Sequence, residues 1–157
     1  MSLVEPAKTT VAVDGFATQN DLGAVETDWN GQAKGKGANS KYVSSVCFEA
    51  AGDATTGLCG TPTAGSATGN IYVTYQDAAG TQVSGNNIIM LPYVQNGAGK
   101  GVNGSMTLAD QLSSAAESGS LDWACVSAGN TYAKANIDGA ITLLGTVPQK
   151  YVPANCR

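Results

Sequence analysis

The sequence predicts an α+β fold in which an N-terminal helix precedes an antiparallel sheet. Three observations predict it: a helical pattern at the start of the chain, four strand-like segments after residue 40, and turn-rich stretches between those segments. A helix followed by a run of strands is typical of the α+β class. With 157 residues, no internal repeat and no linker-like stretch, the chain is expected to form one domain over residues 1-157.

The first predicted element is a short amphipathic helix within residues 1-13. Leu3, Ala7 and Val11 recur at helical spacing, and Pro6 is compatible with the first turn of a helix. We interpret this segment as a short helix or as the last part of a longer helical spine.

A long connecting loop is predicted over residues 14–40. This stretch is rich in Gly, Asn and Ala and contains two isolated aromatic residues, Phe16 and Trp29. At most a helical turn is expected, near residues 19–28. Loops of this length are usually functional or belong to a special architecture.

The sheet region is predicted over residues 41-128. β-Branched and aromatic residues, bounded by Gly- and Thr-rich turns, predict strands over 41–49, 70–76, 87–95 and 121–127. Pro92 in the third strand implies an edge strand or a bulge. Between the third and fourth strands, Thr107 and Asp110 have the spacing of a helix capping box, so a short helix is predicted over 107–117.

The composition argues against nucleic-acid binding and against a membrane span in this sequence. Charged residues make up 13% of the chain, roughly half the share typical of soluble domains, and the net charge is −4. The few Lys and Arg residues are scattered, whereas a nucleic-acid surface needs a concentrated positive stripe. No run of about 18 apolar residues is present, which a spanning helix would require.

Four cysteines indicate two disulfide bonds. Their number is even, they form no Cys-x-x-Cys pairs and the chain has no His, which argues against a zinc site. Four cysteines permit three pairings, and sequence alone does not choose among them. We predict the local pairing, Cys47–Cys59 with Cys125–Cys156, because it closes loops of modest size. Disulfides imply an oxidising compartment, and since no export signal is present, we expect the N-terminus to have been removed.

No pattern in the sequence indicates an active site. Without His, a Ser–His–Asp or Cys–His arrangement cannot be built. Two carboxylate pairs, Glu26 with Asp28 and Glu49 with Asp53, lie beside predicted loops and are interpreted as solvated charges. Residues 99–104 match Gly-x-Gly-x-x-Gly, but in so glycine-rich a chain we interpret them as a hairpin loop rather than a dinucleotide site. We therefore expect neither enzymatic activity, nor a cofactor, nor a metal.

Carbohydrate modification is the one covalent change that the sequence suggests. Asn103-Gly-Ser105 fits the acceptor pattern for N-linked sugars, and the many hydroxyl groups are candidates for O-linked sugars. No local pattern selects one hydroxyl.

Two motifs at the end of the chain carry a family resemblance. Residues 121–125 read Leu-Asp-Trp-Ala-Cys, and residues 150–157 read Lys-Tyr-Val-Pro-Ala-Asn-Cys-Arg. Together they resemble the end of a type IVa major pilin, in which a final strand with aromatic-x-Cys and a terminal hydrophobic-Pro-x-x-Cys segment close a disulfide loop. Residues 40–46 are similar to the first strand of that family. The 30 residues between Cys125 and Cys156 make a longer loop than in many relatives, and the Cys47–Cys59 pair is not general in the family.

The resemblance implies a helical spine packed on a four-stranded antiparallel β-sheet, with a disulfide-bounded C-terminal loop over 125-156. Similar proteins begin with a highly apolar helix, which anchors the precursor in the bacterial inner membrane and later packs in the core of the fibre. Because this helix is not in the sequence, we expect the chain to be the soluble ectodomain of such a pilin. Any contact with the membrane is expected only through that helix.

By the same resemblance, the expected function is that of a structural subunit of an extracellular type IV pilus, supporting surface adhesion and twitching motility. The expected partners are identical subunits and a receptor on a host cell or an abiotic surface. Residues of the C-terminal loop are candidate contacts: Lys134, Asn136, Lys150 and Tyr151. Two alternatives remain, a type II secretion pseudopilin and a secreted carbohydrate-binding or adhesin domain that stacks sugars on Trp29 or Trp123.

Overall fold

The computed structural model describes residues 3–63, 65–95, 97, 101, 104–114, 119–137 and 141–157. It confirms the α+β class and the antiparallel sheet. Its helices are α1 Glu5–Asp14, α2 Gln19–Gly35, α3 Leu108–Ser113 and α4 Thr131–Asn136. Its strands are β1 Val43–Phe48, β2 Ile71–Tyr75, β3 Asn87–Gln95, β4 Ser105–Thr107 and β5 Ser120–Val126. Short 3₁₀ turns occur at Asp77–Ala79, Gln149–Tyr151 and Ala154–Cys156.

Helix α1 forms where the apolar spacing predicts it. Pro6 lies in its first turn, where the missing N–H would have no helical partner in any case. Ala7 and Val11 are completely buried against the rest of the protein. The helix ends at Gly15, whose N–H donates to the carbonyl oxygens of Thr10 and Val11.

Most of the predicted loop over 14–40 is instead the helix α2, so that prediction is wrong beyond the helical turn it allowed. The side chain of Thr18 caps the helix by accepting from the N–H of Asp21 at 3.1 Å. The buried residues Leu22, Glu26 and Trp29 lie on one face at helical spacing. This face was overlooked because one of its core positions carries a carboxylate, and glycines in the segment lower its helix propensity.

The sheet is entirely antiparallel and is centred on β3. The strands run β1-β2-β3-β4, and β5 pairs with the other edge of β3. The four predicted strands are present, and β3 has the predicted bounds. The sheet nevertheless has a fifth strand within the described residues, β4, which immediately precedes α3.

Pro92 lies in the central strand and not in an edge strand. Its position is tolerated because β3 changes partners there. The pairing with β2 reaches Met90, and the pairing with β4 begins at Tyr93, so the residues between them face no strand on that side. A residue without an N–H is best accommodated where no ladder hydrogen bond is required.

The core has two layers, one on each face of the sheet. Alternate residues of β3 point to opposite faces, as the pleat requires. Ile88, Met90 and Val94 join the larger cluster beneath α1 and α2. Ile89, Leu91 and Tyr93 join a smaller cluster that α4 covers with Ala133 and Ile137. The segment that contains α4 therefore packs on the face opposite the long helices.

None of the helices in these described ranges is long and apolar enough to cross a membrane.

Candidate interaction surface at the C-terminal disulfide loop

The disulfide between Cys125 and Cys156 closes the C-terminal loop and confirms the predicted pairing. It joins the end of β5 to the last 3₁₀ turn, and the Cα atoms are 4.5 Å apart. Both half-cystines are buried. The structure also joins Cys47 of β1 to Cys59, with their Cα atoms 5.3 Å apart. The end of the chain is therefore fixed to a strand of the sheet rather than left as a tail.

The loop crosses the end of the sheet from one face to the other. After α4 has covered the outer face, the chain passes Asn87, the first residue of β3. The carbonyl oxygen of Asn87 accepts from the N–H of Thr146 at 2.9 Å and of Val147 at 3.1 Å. The N–H of Asn87 in turn donates to the hydroxyl of Thr146 at 2.8 Å. Beyond this crossing, Val152 and Cys156 enter the core beneath α1 and α2.

The four candidate contact residues fall into two groups on different short elements. Lys134 is exposed on α4. Asn136, the last residue of that helix, donates from Nδ2 to the carbonyl oxygen of Tyr132 at 2.8 Å. Lys150 and Tyr151 are exposed on the 3₁₀ turn Gln149–Tyr151. Within the parts of the chain that are described, no hydrogen bond or ion pair links the two groups.

Tyr151 is held by a long-range contact that orients its ring. Its hydroxyl donates to Oε1 of Gln82, in the turn that precedes β3, at 3.1 Å. The Nζ of Lys150 lies 4.8 Å from the centroid of the Tyr151 ring, within the range of a cation–π contact. The ring nevertheless remains 44% exposed. The pair thus presents an aromatic face and a positive charge to solvent.

Two exposed apolar residues of the same loop were not singled out from the sequence. Tyr132 is 37% exposed at the start of α4, where its N–H donates to the carbonyl oxygen of Arg157 at 3.1 Å. Leu144 is 52% exposed beyond α4. An aromatic residue two positions before Lys134 was the available signal for Tyr132, whereas nothing in the local sequence distinguishes Leu144 from a core residue.

Other residues that the sequence analysis singled out are either in surroundings that differ from the expected ones or outside the described residues. Trp29 is only 6% exposed, and its Nε1–H donates to the carbonyl oxygen of Val46, so it offers no face for a sugar. Trp123 is partly buried, with Nζ of Lys8 5.7 Å from its ring centroid. Asn103, most of residues 99–104 and the end of the predicted 107–117 helix lie outside the described residues. Within the remainder, no group of three or more His, Cys, Asp or Glu side chains is placed to hold a metal.

The structure does not bring together either of the candidate carboxylate pairs. Instead, it places Glu26 of the first pair beside Glu49 of the second. Glu26 is completely buried, contrary to the expectation of a solvated charge, and its carboxyl group meets that of Glu49. Burial, followed by the hydrogen bond and the charge of Glu49, raises the pKa of Glu26 to about 8. This contact joins α2 to the end of β1, and it lies on the helix side of the sheet, away from the C-terminal loop.

The comparisons with known proteins agree with this architecture. A family model described as "Pilin (bacterial filament)" matches residues 1–157. A crystal structure of a type IV pilin from Pseudomonas aeruginosa superposes with a TM-score of 0.72 at 36% sequence identity, covering 99% of this chain and 91% of that chain. Among proteins with curated functions, none matches the chain significantly. The chain therefore belongs to the pilin family, the proteins that build bacterial filaments, and it has the fold of a type IV pilin.

Proposed function

We propose that this pilin serves surface adhesion and twitching motility as the repeating subunit of a retractable fibre. As a pilin, it assembles with other subunits into an extracellular pilus. The observation that carries the proposal is the match to the pilin family over the whole chain, together with the type IV pilin fold. In this role the protein is structural rather than enzymatic, and its precursor resides in the bacterial inner membrane.

The low charge of the chain supports close packing of identical copies. Only 13% of the residues are charged, and the net charge is −4. Large charges of one sign on every subunit would oppose assembly, because identical surfaces then repel one another. Since α1 and α2 share one core on one face of the sheet, the other face and the C-terminal loop are the parts we assign to the outside of the fibre.

Within this function, we assign attachment to the exposed residues of the C-terminal loop. Tyr132, Leu144 and Tyr151 expose apolar surface, and Lys134 and Lys150 add positive charge beside them. Aromatic residues are enriched at protein interfaces. The Cys125–Cys156 bond keeps this surface rigid, which lowers the entropy that binding must overcome.

Loss of the gene tests the role in the fibre and the role in motility. Deleting the gene in its native host should abolish fibres seen by electron microscopy, and also twitching zones on agar. Fibres that persist without this subunit would contradict the proposal.

A double substitution that removes one positive charge and one aromatic ring then tests the attachment surface. The variant Lys150→Ala with Tyr151→Ala should leave fibre yield unchanged and reduce adhesion of the cells to a surface. A matched control is Lys41→Ala with Tyr42→Ala, because Nζ of Lys41 also lies near the ring of its neighbour, at 5.5 Å, and Tyr42 is 53% exposed. Equal adhesion by both variants would show that Lys150 and Tyr151 do not belong to the attachment surface. The proposed role as a fibre subunit would be unaffected by that result.

A further inference from the structure

Glu26 occupies a position where an ionised carboxylate would be unfavourable. The residue is completely buried on the core face of α2. Its Oε1 accepts from the N–H of Gly69 at 2.7 Å, whereas its buried Oε2 has no donor. A buried oxygen that carries charge and lacks a donor is strongly unfavourable. A protonated Oε2 would instead be a donor itself and would need only an acceptor nearby.

Glu49 supplies that acceptor from the end of β1. Glu49 is close enough to Glu26 for its hydrogen bond and its charge to raise the pKa of Glu26. The Oε1 of Glu49 accepts from the N–H of Thr68 at 2.6 Å and from its hydroxyl at 2.7 Å. The backbone of Glu49 has a φ of 70°, a region that residues other than glycine rarely occupy. The chain thus tolerates a strained backbone where this carboxylate is placed.

The two carboxyl groups hold one segment of the chain against α2. Thr68 and Gly69 are consecutive, and each donates its N–H to a different member of the pair. Ala67, just before them, is completely buried in the core cluster that includes Leu22 of α2. Gly69 itself has a φ of 76°, and a Cβ there would lie 2.8 Å from Cγ of Pro92. The segment 65–69 therefore fits in one orientation, which the carboxyl pair fixes.

We propose that Glu26 and Glu49 share one proton, and that this proton is a pH-sensitive latch which holds segment 65–69 on α2. With the proton present, Oε2 of Glu26 donates to the Glu49 carboxylate, and both groups keep their bonds to Thr68 and Gly69. When base removes the proton to solvent, two carboxylates face each other in a buried site, and the segment opens to hydrate them. The latch is therefore tightest in acid.

In the described part of the chain, no charged group besides Glu49 contributes to the pKa of Glu26. Among the described residues, Glu49 is the one whose charge acts on Glu26. Tyr72 of β2 is the titratable group on which Glu49 acts in turn, and burial and that charge raise the pKa of Tyr72 above 10.0. Tyr72 is therefore neutral while the carboxyl pair titrates. The one ion pair of the described chain, Lys8 with Glu5, belongs to α1.

Amide hydrogen exchange measured by NMR on the 157-residue chain tests the latch. Opening exposes Glu26, whose ordinary pKa is 4.5, whereas the closed pair keeps the proton up to about pH 8. After correction for intrinsic rates, the opening constants of the Thr68 and Gly69 amides should rise about tenfold per pH unit between these values and level off above them. They should also exceed the opening constants of the β3 amides, which report global unfolding.

Two variants and one direct titration decide the outcome. Glu26→Gln keeps a donor and an acceptor but cannot ionise, so its opening constants should be independent of pH. The control Glu5→Gln, at an exposed position on α1, should keep the wild-type slope. If Glu26→Gln fails to fold, the ¹³C shift of the wild-type Glu26 carboxyl group should titrate near pH 8. A flat wild-type profile, a carboxyl midpoint near the ordinary glutamate pKa, or exchange at 68–69 only together with β3 would each overturn the proposal.

Discussion

The indole Nε1–H of Trp29 donates to the carbonyl oxygen of Val46 over 2.8 Å, which ties α2 to the edge of β1. The next residue of the helix continues the contact, because Asn30 both accepts from the N–H and donates to the carbonyl oxygen of Phe48. The N–H of Val46 donates to the carbonyl oxygen of Lys36. Among the described strands, β1 pairs only with β2. Its other edge is therefore satisfied by side chains and one turn instead of a strand, which protects it from pairing with another chain.

Replacing Asn30 with Ala should destabilise the protein by about 2–4 kcal/mol, because buried backbone groups of Phe48 lose their partner. The amide of Asn30 also donates to the carbonyl oxygen of Gly60 at 2.9 Å, so a second segment is released. Urea unfolding followed by circular dichroism measures the change. Asn39→Ala, at an exposed position, is the control and should change stability by less than about 0.5 kcal/mol. A cost for Asn30→Ala no larger than that of the control would show that the edge of β1 does not depend on this side chain.

Substituting Gly37 with Ala should be strongly destabilising. Gly37 has a φ of 66°, and a Cβ there would lie 2.0 Å from the carbonyl oxygen of Val46 and 2.5 Å from Nε1 of Trp29. The added methyl group would separate the turn from β1 and break the Trp29 hydrogen bond, at a cost above about 2 kcal/mol. Thermal unfolding measures the loss.

The matched control for this substitution is Gly31→Ala, within α2. A Cβ at Gly31 meets no atom within 4 Å. Since a Cβ fits there and Ala loses less backbone entropy on folding than Gly, this variant should be neutral or more stable than the wild type. Equal unfolding temperatures for the two variants would contradict the steric argument at Gly37.

The elements that local chemistry determines were predicted from the sequence. Strand β3 has the predicted bounds because its apolar run is buried on both faces. The start of α3 follows from Thr107 and Asp110: the Thr107 hydroxyl donates to Oδ2 of Asp110 at 2.6 Å and accepts from its N–H at 3.1 Å. The Cys125–Cys156 bond was predicted because the local pairing closes loops of modest size, and the family resemblance of the two terminal motifs implies the same bond.

What was missed depends on tertiary contacts. Strand β4 has three residues and no hydrophobic pattern of its own, and it forms because β3 offers an unpaired edge beside it. Helix α2 was hidden because Glu26 occupies a core position that becomes favourable only when Glu49 and Gly69 surround it. The exposure of Tyr132 and Leu144 is equally a result of how the loop crosses the sheet. No periodicity within a single segment contains this information.

Removal of either disulfide should lower the free energy of unfolding, because the unfolded chain then gains conformational entropy. Each double Cys→Ala variant opens one loop. The sequence separation of the two cysteines is 31 for Cys125–Cys156 and 12 for Cys47–Cys59. Loop-closure entropy predicts a loss of about 4 kcal/mol for the longer loop and about 3 kcal/mol for the shorter one. Urea unfolding of both variants measures the two values. If opening the shorter loop costs more, direct contacts of Cys47 in the core outweigh the entropy of the chain.

Alkaline pH should reveal the contact between Tyr93 and Asp122 on the outer face of the sheet. The Tyr93 hydroxyl donates to Oδ2 of Asp122 at 2.9 Å, and Tyr93 is 4% exposed. Burial, together with this hydrogen bond and the nearby charge, raises the pKa of Tyr93 from 10.0 to about 12. The folded state therefore retains a proton that the unfolded state loses from pH 10.0 upward, so this stabilisation is complete below pH 10.0 and is lost as the pH rises towards 12. Absorbance at the tyrosinate band should show fewer phenols ionising near pH 10.0 in the wild type than in the urea-unfolded chain, because burial also raises the pKa of Tyr72 and of Tyr75. The Tyr93→Phe variant should reduce that difference by one phenol, and a wild-type curve already identical to the unfolded one would contradict the assignment.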